Sequence, residues 1–371
     1  MMVGRYSRQR VSILLIFIGL VISAGRLSAS EPEKEVQPKA EGIHEKKSFK
    51  PGEFILEHIG DAYSWHIVTI KDKAIAIPLP VILYSKQSGF HFFFSNKFEH
   101  GYASYLGFEI SEEKAFKGKI VEKLADGSVV RPIDISITKN VLSLLLSVAL
   151  LFWIFLSMAK RYRQHPDKAP KGLQSALEPI ILFIRDDIAI PSIGKHKYEK
   201  YMPYLLSVCF FVWINNMMGL VPFFPGGANV TGNIAVTMVL ALFTFAITTF
   251  SSTKTYWLHI VNMPGVPWWL KLPVPLMPFI ELLGVFTKPF VLMIRLFANI
   301  TAGHINLLAF ICLIFIFGHL NMFVGYGFAP ISVAFAIFLY FLELLVAFIQ
   351  AYVFTLLSAL YFGMAGEEAH H

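Results

Sequence analysis

The chain has 371 residues, of which 55% are hydrophobic and only 15% charged, with 35 Phe and a mean hydropathy of +0.58. Soluble domains carry about 25% charged residues, so this composition excludes an ordinary cytosolic enzyme. The apolar residues fall in long blocks, the pattern of membrane spans and not of one soluble core. The net charge of +7 comes from basic residues beside those blocks, where they orient membrane helices, and no nucleic-acid partner is expected. Cys209 and Cys312 both lie inside apolar blocks, which argues against a disulfide framework or a metal site.

Residues 1–30 read as a signal peptide. Arg5, Arg8 and Arg10 precede the apolar run 11–24, and Ser28-Ala29-Ser30 offers a cleavage point. An uncleaved anchor is the alternative, although the run is short for a bilayer crossing. Residues 31–135 differ in composition. The stretch to residue 50 is mixed in charge and expected to be mobile. Strand-like runs follow at 65–70, 74–84 and 90–94, predicting a small β-rich extramembrane module. Its histidines, His58, His66, His91 and His100, lack the close spacing of a zinc site.

Residues 136–371 are expected to form the membrane domain. The run 141–159 is uncharged and long enough for one crossing, and Lys160, Arg161, Arg163, Lys168 and Lys171 follow at once, which marks that end as cytoplasmic. Residues 173–190 are amphipathic, interrupted by Glu178, Arg185, Asp186 and Asp187, and suit the membrane surface. Spans are predicted at 203–224 and 232–250. Five prolines and Trp268-Trp269 within 259–278 suit an interfacial connection. The blocks 276–318 and 331–363 would be about 65 Å and 50 Å long as helices. The hydrocarbon core is only about 30 Å thick, so they must break or tilt strongly. The expected fold is therefore an all-α polytopic membrane protein with about five membrane helices, the last two long and strongly tilted, plus the β-rich N-terminal module.

Within the last two blocks lie Glu281, Lys288, Arg295, His304 and Glu343. A charged side chain near the centre of a lipid-facing helix costs about 2.5–3.5 kcal/mol or more, so these are functional candidates facing protein or water. Glu281, Lys288 and Arg295 recur every seven residues and share one stripe of a helix, with Asn299 on the same side. His304 falls on roughly the opposite side. Glu343 and Gln350 are again seven apart and share a face. Snorkelling to an interface is the alternative for Glu281 and Lys288.

The run from Lys288-Pro289-Phe290 through Arg295-Leu296-Phe297-Ala298-Asn299-Ile300-Thr301-Ala302-Gly303-His304 resembles the signature of subunit a of F-type ATP synthases. Asn216-Met217-Met218-Gly219-Leu220-Val221-Pro222, and the last helix with Glu343, Gln350 and the Glu367-Glu368 ending, are similar to that family's other motifs. The resemblance implies two long oblique helices against a rotating ring of c subunits, b-type peripheral stalk subunits, the rest of the synthase complex and the lipid bilayer as partners, and no cofactor. Arg295 matches the essential arginine facing the c-ring. His304 and Glu343 match a proton-accepting pair whose two members are exchanged between helices in some relatives. Glu343, His304, Gln350 and Asn216, with Glu281, are expected to line the outer proton path, and Asn299 to orient the arginine or the ring carboxylate; Lys288 belongs to the same candidate set. The implied place is the bacterial inner membrane, with the N-terminal module outside and the C-terminus cytoplasmic.

Three rival readings lack their signatures. A secondary transporter would show a repeated half with matching broken helices. An intramembrane hydrolase would show His-Glu-x-x-His or Gly-x-Ser-x-Gly, and a bare scaffold has no use for charges at mid-span. The phosphate-cradling Gly-x-x-x-x-Gly-Lys-Ser/Thr loop is also missing, so no nucleotide chemistry is expected on this chain.

Overall fold

The computed structural model describes residues 51–366 apart from 71–72, 102, 112, 114–115, 125–127, 166–169, 222–223 and 262–275. The signal peptide, the mixed-charge segment to residue 50, most of the proline-rich tract and the acidic ending lie outside the described residues. A helix α1 (Pro51–Ile59) opens the described chain, and eight strands follow: β1 (Ser64–Ile70), β2 (Lys73–Pro78), β3 (Pro80–Ser85), β4 (Gly89–Phe94), β5 (Phe108–Ile110), β6 (Ile120–Lys123), β7 (Val129–Val130) and β8 (Ile133–Asp134). They form three small antiparallel sheets, β1-β2, β4-β3-β8 and β5-β6-β7. The strand run expected over 74–84 is two strands that serve different sheets, divided at Leu79 between Pro78 and Pro80. Proline carries no N–H to continue a ladder, so the pairing changes partner there.

Alternation along β3 buries Val81, Leu83 and Ser85 against Tyr63, Phe93, Phe98, Phe108 and Ile120. Burial, reinforced by the neighbouring Asp134 carboxylate, pushes the Tyr63 phenol well above its usual pKa. The phenol therefore stays protonated and donates to Asp134 at 2.5 Å, closing the module next to the first long helix.

The remainder is helical: α2 (Lys139–Gln164), α3 (Leu173–Phe183), a π-helical turn at Ile184–Ala189, α4 (Ile190–Ile193), α5 (Tyr198–Leu220), α6 (Ile234–Ser251), α7 (Lys254–Val261), α8 (Leu276–Leu320) and α9 (Met322–Gly366). Among the described residues, five helices are long and apolar enough to cross a bilayer, within α2, α5, α6, α8 and α9. Helix α9 begins nine residues before the expected start at 331. Pro330 and the glycines ahead of it suggest a break in sequence, but the helix runs through them. At 45 residues each, α8 and α9 would measure about 67 Å, so neither fits upright in about 30 Å of hydrocarbon.

Helix α9 has one polar and small-residue stripe. Glu343, Ala347, Gln350, Ala351, Phe354, Thr355, Ser358, Ala359 and Phe362 are buried at spacings of three and four, which keep one face toward the protein. Phe341, Leu342, Leu344, Leu345, Phe348 and Ile349 are exposed on its other sides, where lipid or a partner subunit takes the place of solvent.

Glycines set the closest helix contacts. A Cβ on Gly325 would lie 2.6 Å from the Gly318 Cα, and one on Gly363 would lie 1.9 Å from the Ser192 carbonyl oxygen. Gly363→Ala is therefore expected to destabilise the protein by about 1–3 kcal/mol through overpacking against backbone. Gly327→Ala, with nothing within 4 Å of its new carbon, should not. Thermal unfolding of the detergent-solubilised assembly distinguishes the two.

Candidate functional site

Arg295 is exposed on the lateral face of α8. The helix turns Val285, Leu292, Leu296 and Ile300 inward, a spacing that leaves the guanidinium on the side away from the protein. Among the described residues Arg295 forms no ion pair with this chain's own carboxylates. An uncompensated guanidinium at the middle of a 45-residue apolar helix calls for a counter-charge from outside the chain.

His304, nine residues further along, turns the other way. Its Nδ1 lies 3.3 Å from Glu343 Oε1, joining α8 to α9. Two glycines make the space. A Cβ on Gly303 would come within 2.9 Å of Glu343 Oε1, and one on Gly219 of α5 would touch His304 Nε2 at 3.6 Å. Both Glu343 oxygens are buried without a hydrogen-bond partner among the described residues. A carboxyl group in that condition is held by a nearby imidazole and by water.

The other amides extend this polar seam along α9. Asn299 Nδ2 donates to Gln350 Oε1 at 2.8 Å. Asn216 Nδ2 donates to the Ala347 carbonyl at 3.1 Å, and Thr231 Oγ1 donates to Asn216 Oδ1 at 2.6 Å. His304, Glu343, Asn216, Asn299 and Gln350, each a candidate from sequence, thus meet along the α5, α8 and α9 contacts.

Glu281 and Lys288 do not join them. Lys288 lines a small cavity with Thr244, Thr248, Tyr256 and Tyr361, and its Nζ lies 5.8 Å from the Tyr361 ring centre. Glu281 is within electrostatic reach of Tyr256. Glu281 precedes His304 by 23 residues on one continuous helix, about 34 Å of rise, so its expected place on the His304 side gives way to a place at the opposite end.

Sequence reading missed Gly219 and Gly303 as spacers, although both stand in the quoted motifs; the signal was the residue before and the residue facing the histidine. Thr231 gave no signal, because a loop threonine far from Asn216 in sequence reaches it only through the fold. No group of three or more His, Cys, Asp or Glu side chains suited to a metal occurs among the described residues.

Residues 141–363 match the family described as ATP synthase A chain. Residues 54–138 match a separate family described only as Domain of unknown function (DUF8433). The chain is 43% identical over 250 residues to ATP synthase subunit a of Chloroherpeton thalassium, covering 64% of this chain and 70% of that protein. It is 47% identical over 238 residues to ATP synthase subunit a 2 of Chlorobaculum tepidum, covering 62% and 64%. To ATP synthase subunit a of Myxococcus xanthus it is 42% identical over 260 residues, covering 68% and 79%.

Because a Cβ on Gly303 would lie 2.9 Å from Glu343 Oε1, Gly303→Ala should displace that carboxyl and lower proton conduction through the reconstituted membrane sector several-fold. Gly303→Val should abolish it. Assembly, followed by co-purification, should survive the alanine change.

Proposed function

Since the chain belongs to the ATP synthase A chain family, we propose that it is the stator subunit that carries protons to and from the rotor ring of an F-type ATP synthase. The observation that carries this reading is the outward-facing, internally unpaired Arg295, backed by the His304–Glu343 pair at 3.3 Å on the protected side of the same helix.

The roles follow from charge and dielectric. The Arg295 guanidinium keeps its proton at any working pH. In low dielectric it strongly favours the ionised form of a carboxyl group brought beside it. A protonated ring carboxyl arriving from the lipid gives up its proton there, and the carboxylate pairs with the guanidinium. That proton leaves by the inner path, for which Thr244, Thr248, Tyr256, Tyr361 and Lys288, in a cavity they share with Phe245, Val285 and Pro289, supply the polar groups, with Glu281 beyond. A second proton enters by the outer path, passes between Glu343 and His304 and reprotonates the carboxylate as it moves on. The fixed cation between the two paths repels a hopping proton and keeps them from joining.

Asn299, one turn from Arg295, donates one amide N–H to Gln350 and keeps its second N–H for the carboxylate that pairs with the arginine. Asn216 ties α5 to the backbone of α9 and holds the outer path in register. The two long helices lie oblique in the membrane and embrace the ring of c subunits, while b-type stalk subunits hold the chain still. The protein spans the bacterial inner membrane several times. The N-terminal module, residues 31–135, lies outside the cytoplasm and the C-terminus inside, the orientation that Arg161 and Arg163 in the last turn of α2 support through the positive-inside rule. This chain performs no bond chemistry; ATP is made elsewhere in the complex.

Arg295→Ala is expected to abolish proton-driven ATP synthesis in membrane vesicles while the soluble part still hydrolyses ATP. Arg295→Lys should also fail, because a buried ammonium can shed its proton and lacks the planar fork that meets a carboxylate. Normal synthesis in either variant would overturn the assignment.

A further inference from the structure

The first turns of α2 hold an unexplained set of polar groups. Thr138 Oγ1, Asn140 Oδ1 and Ser143 Oγ are buried without a hydrogen-bond partner among the described residues. Asn140 and Ser143 are only 6% and 0% exposed. They share one side of the helix, whereas Trp153 and Leu156 further along are exposed. Leaving a buried oxygen unsatisfied costs about 1–3 kcal/mol, and several such atoms together mark a place where water stands.

The N-terminal module is fastened at this point. Asp61 Oδ1 accepts from the Asn140 N–H at 3.0 Å, the Ala62 carbonyl accepts from the Lys139 N–H at 2.8 Å, and Lys139 Nζ donates to the His58 carbonyl at 3.5 Å. Helix α1 packs on α8, the helix that carries His304. On another side Trp65, 3% exposed, meets Phe224 edge-on at 5.2 Å in the connection that follows α5. The unsatisfied oxygens thus lie under the module, at the end of the molecule from which His304 is approached.

We propose that the N-terminal module is the outer wall of the proton path: α1, the Asp61 corner and the first two turns of α2 enclose a water-filled vestibule that delivers protons to His304 and Glu343. This rests on the function proposed above and adds a role for residues 54–138, which match a family whose description assigns none. Asp61, exposed at the corner and bonded through Oδ1 to the Ala62 and Asn140 N–H groups, is the collecting carboxylate. Water held by Asn140 and Ser143 carries the proton inward.

The test uses the assembled synthase in sealed vesicles, with Cys209 and Cys312 replaced by alanine. Silver ion is added from the side bearing the module. In Ser143→Cys, or in Asn140→Cys should the first variant assemble poorly, silver is expected to cut proton conduction several-fold; in Trp153→Cys it should not. A bulky quaternary-ammonium thiosulfonate should react slowly with Ser143→Cys, and several-fold faster once Trp65→Ala loosens the module. Unchanged conduction with silver in both cysteine variants, or no acceleration by Trp65→Ala, overturns the vestibule. Failure of the underlying function would show separately, as ATP synthesis surviving Arg295→Ala.

Discussion

A charged group in hydrocarbon has no solvent to stabilise it, and every unusual feature of this chain answers to that constraint. Among the described residues Arg295 has no carboxylate of its own, a condition that an acid group on a partner subunit would relieve. Glu343 has a partner, the His304 imidazole, but its oxygens lack hydrogen bonds, so it depends on water. On the function proposed above, the first group would meet a passing acid and the second would exchange protons with water. Their separation along α8, nine residues and opposite faces, lets one helix serve both tasks without the two groups neutralising each other.

The amides complete this division. Asn216, Asn299 and Gln350 all bond to other protein groups, so their positions are fixed and their remaining lone pairs and N–H groups have set directions. A proton path needs such fixed dipoles, because a carrier that reorients freely offers no barrier against leakage. The cavity beside Lys288, lined by Thr244, Thr248, Tyr256 and Tyr361 together with Phe245, Val285 and Pro289, would serve the same purpose toward the other end of α8. Between the two polar regions lies Arg295, and no continuous chain of titratable groups joins them among the described residues.

Much of this was legible in sequence. The seven-residue spacing of Glu343 and Gln350 put both on one face, and the structure buries both. The angular offset between Arg295 and His304 also reads directly from their numbers, and one faces outward while the other faces Glu343. What sequence could not show was long-range pairing: Asn299 with Gln350, Thr231 with Asn216, and the docking of Asp61 on Asn140. Periodicity describes the face of one helix and is silent on which other face it meets. Glu281 illustrates this limit, since its stripe was right and its neighbourhood was not. The start of α9 was misread for a local reason, because proline and glycine weaken a helix but packing against α8 retains it.

The glycine contacts at the two extremities of α9 bear on mechanics. Gly325 lies against Gly318, and Gly363 lies against Ser192, so this rod is clamped backbone to backbone near each tip. Between the tips the helix is held by side chains instead, Asn216 on the Ala347 carbonyl and Asn299 on Gln350, and Glu343 stands within a residue of the midpoint of Met322–Gly366. Backbone therefore fixes the register of this rod at its extremities, and a change of rotamer near the carboxyl group requires no sliding of the helix along its neighbours.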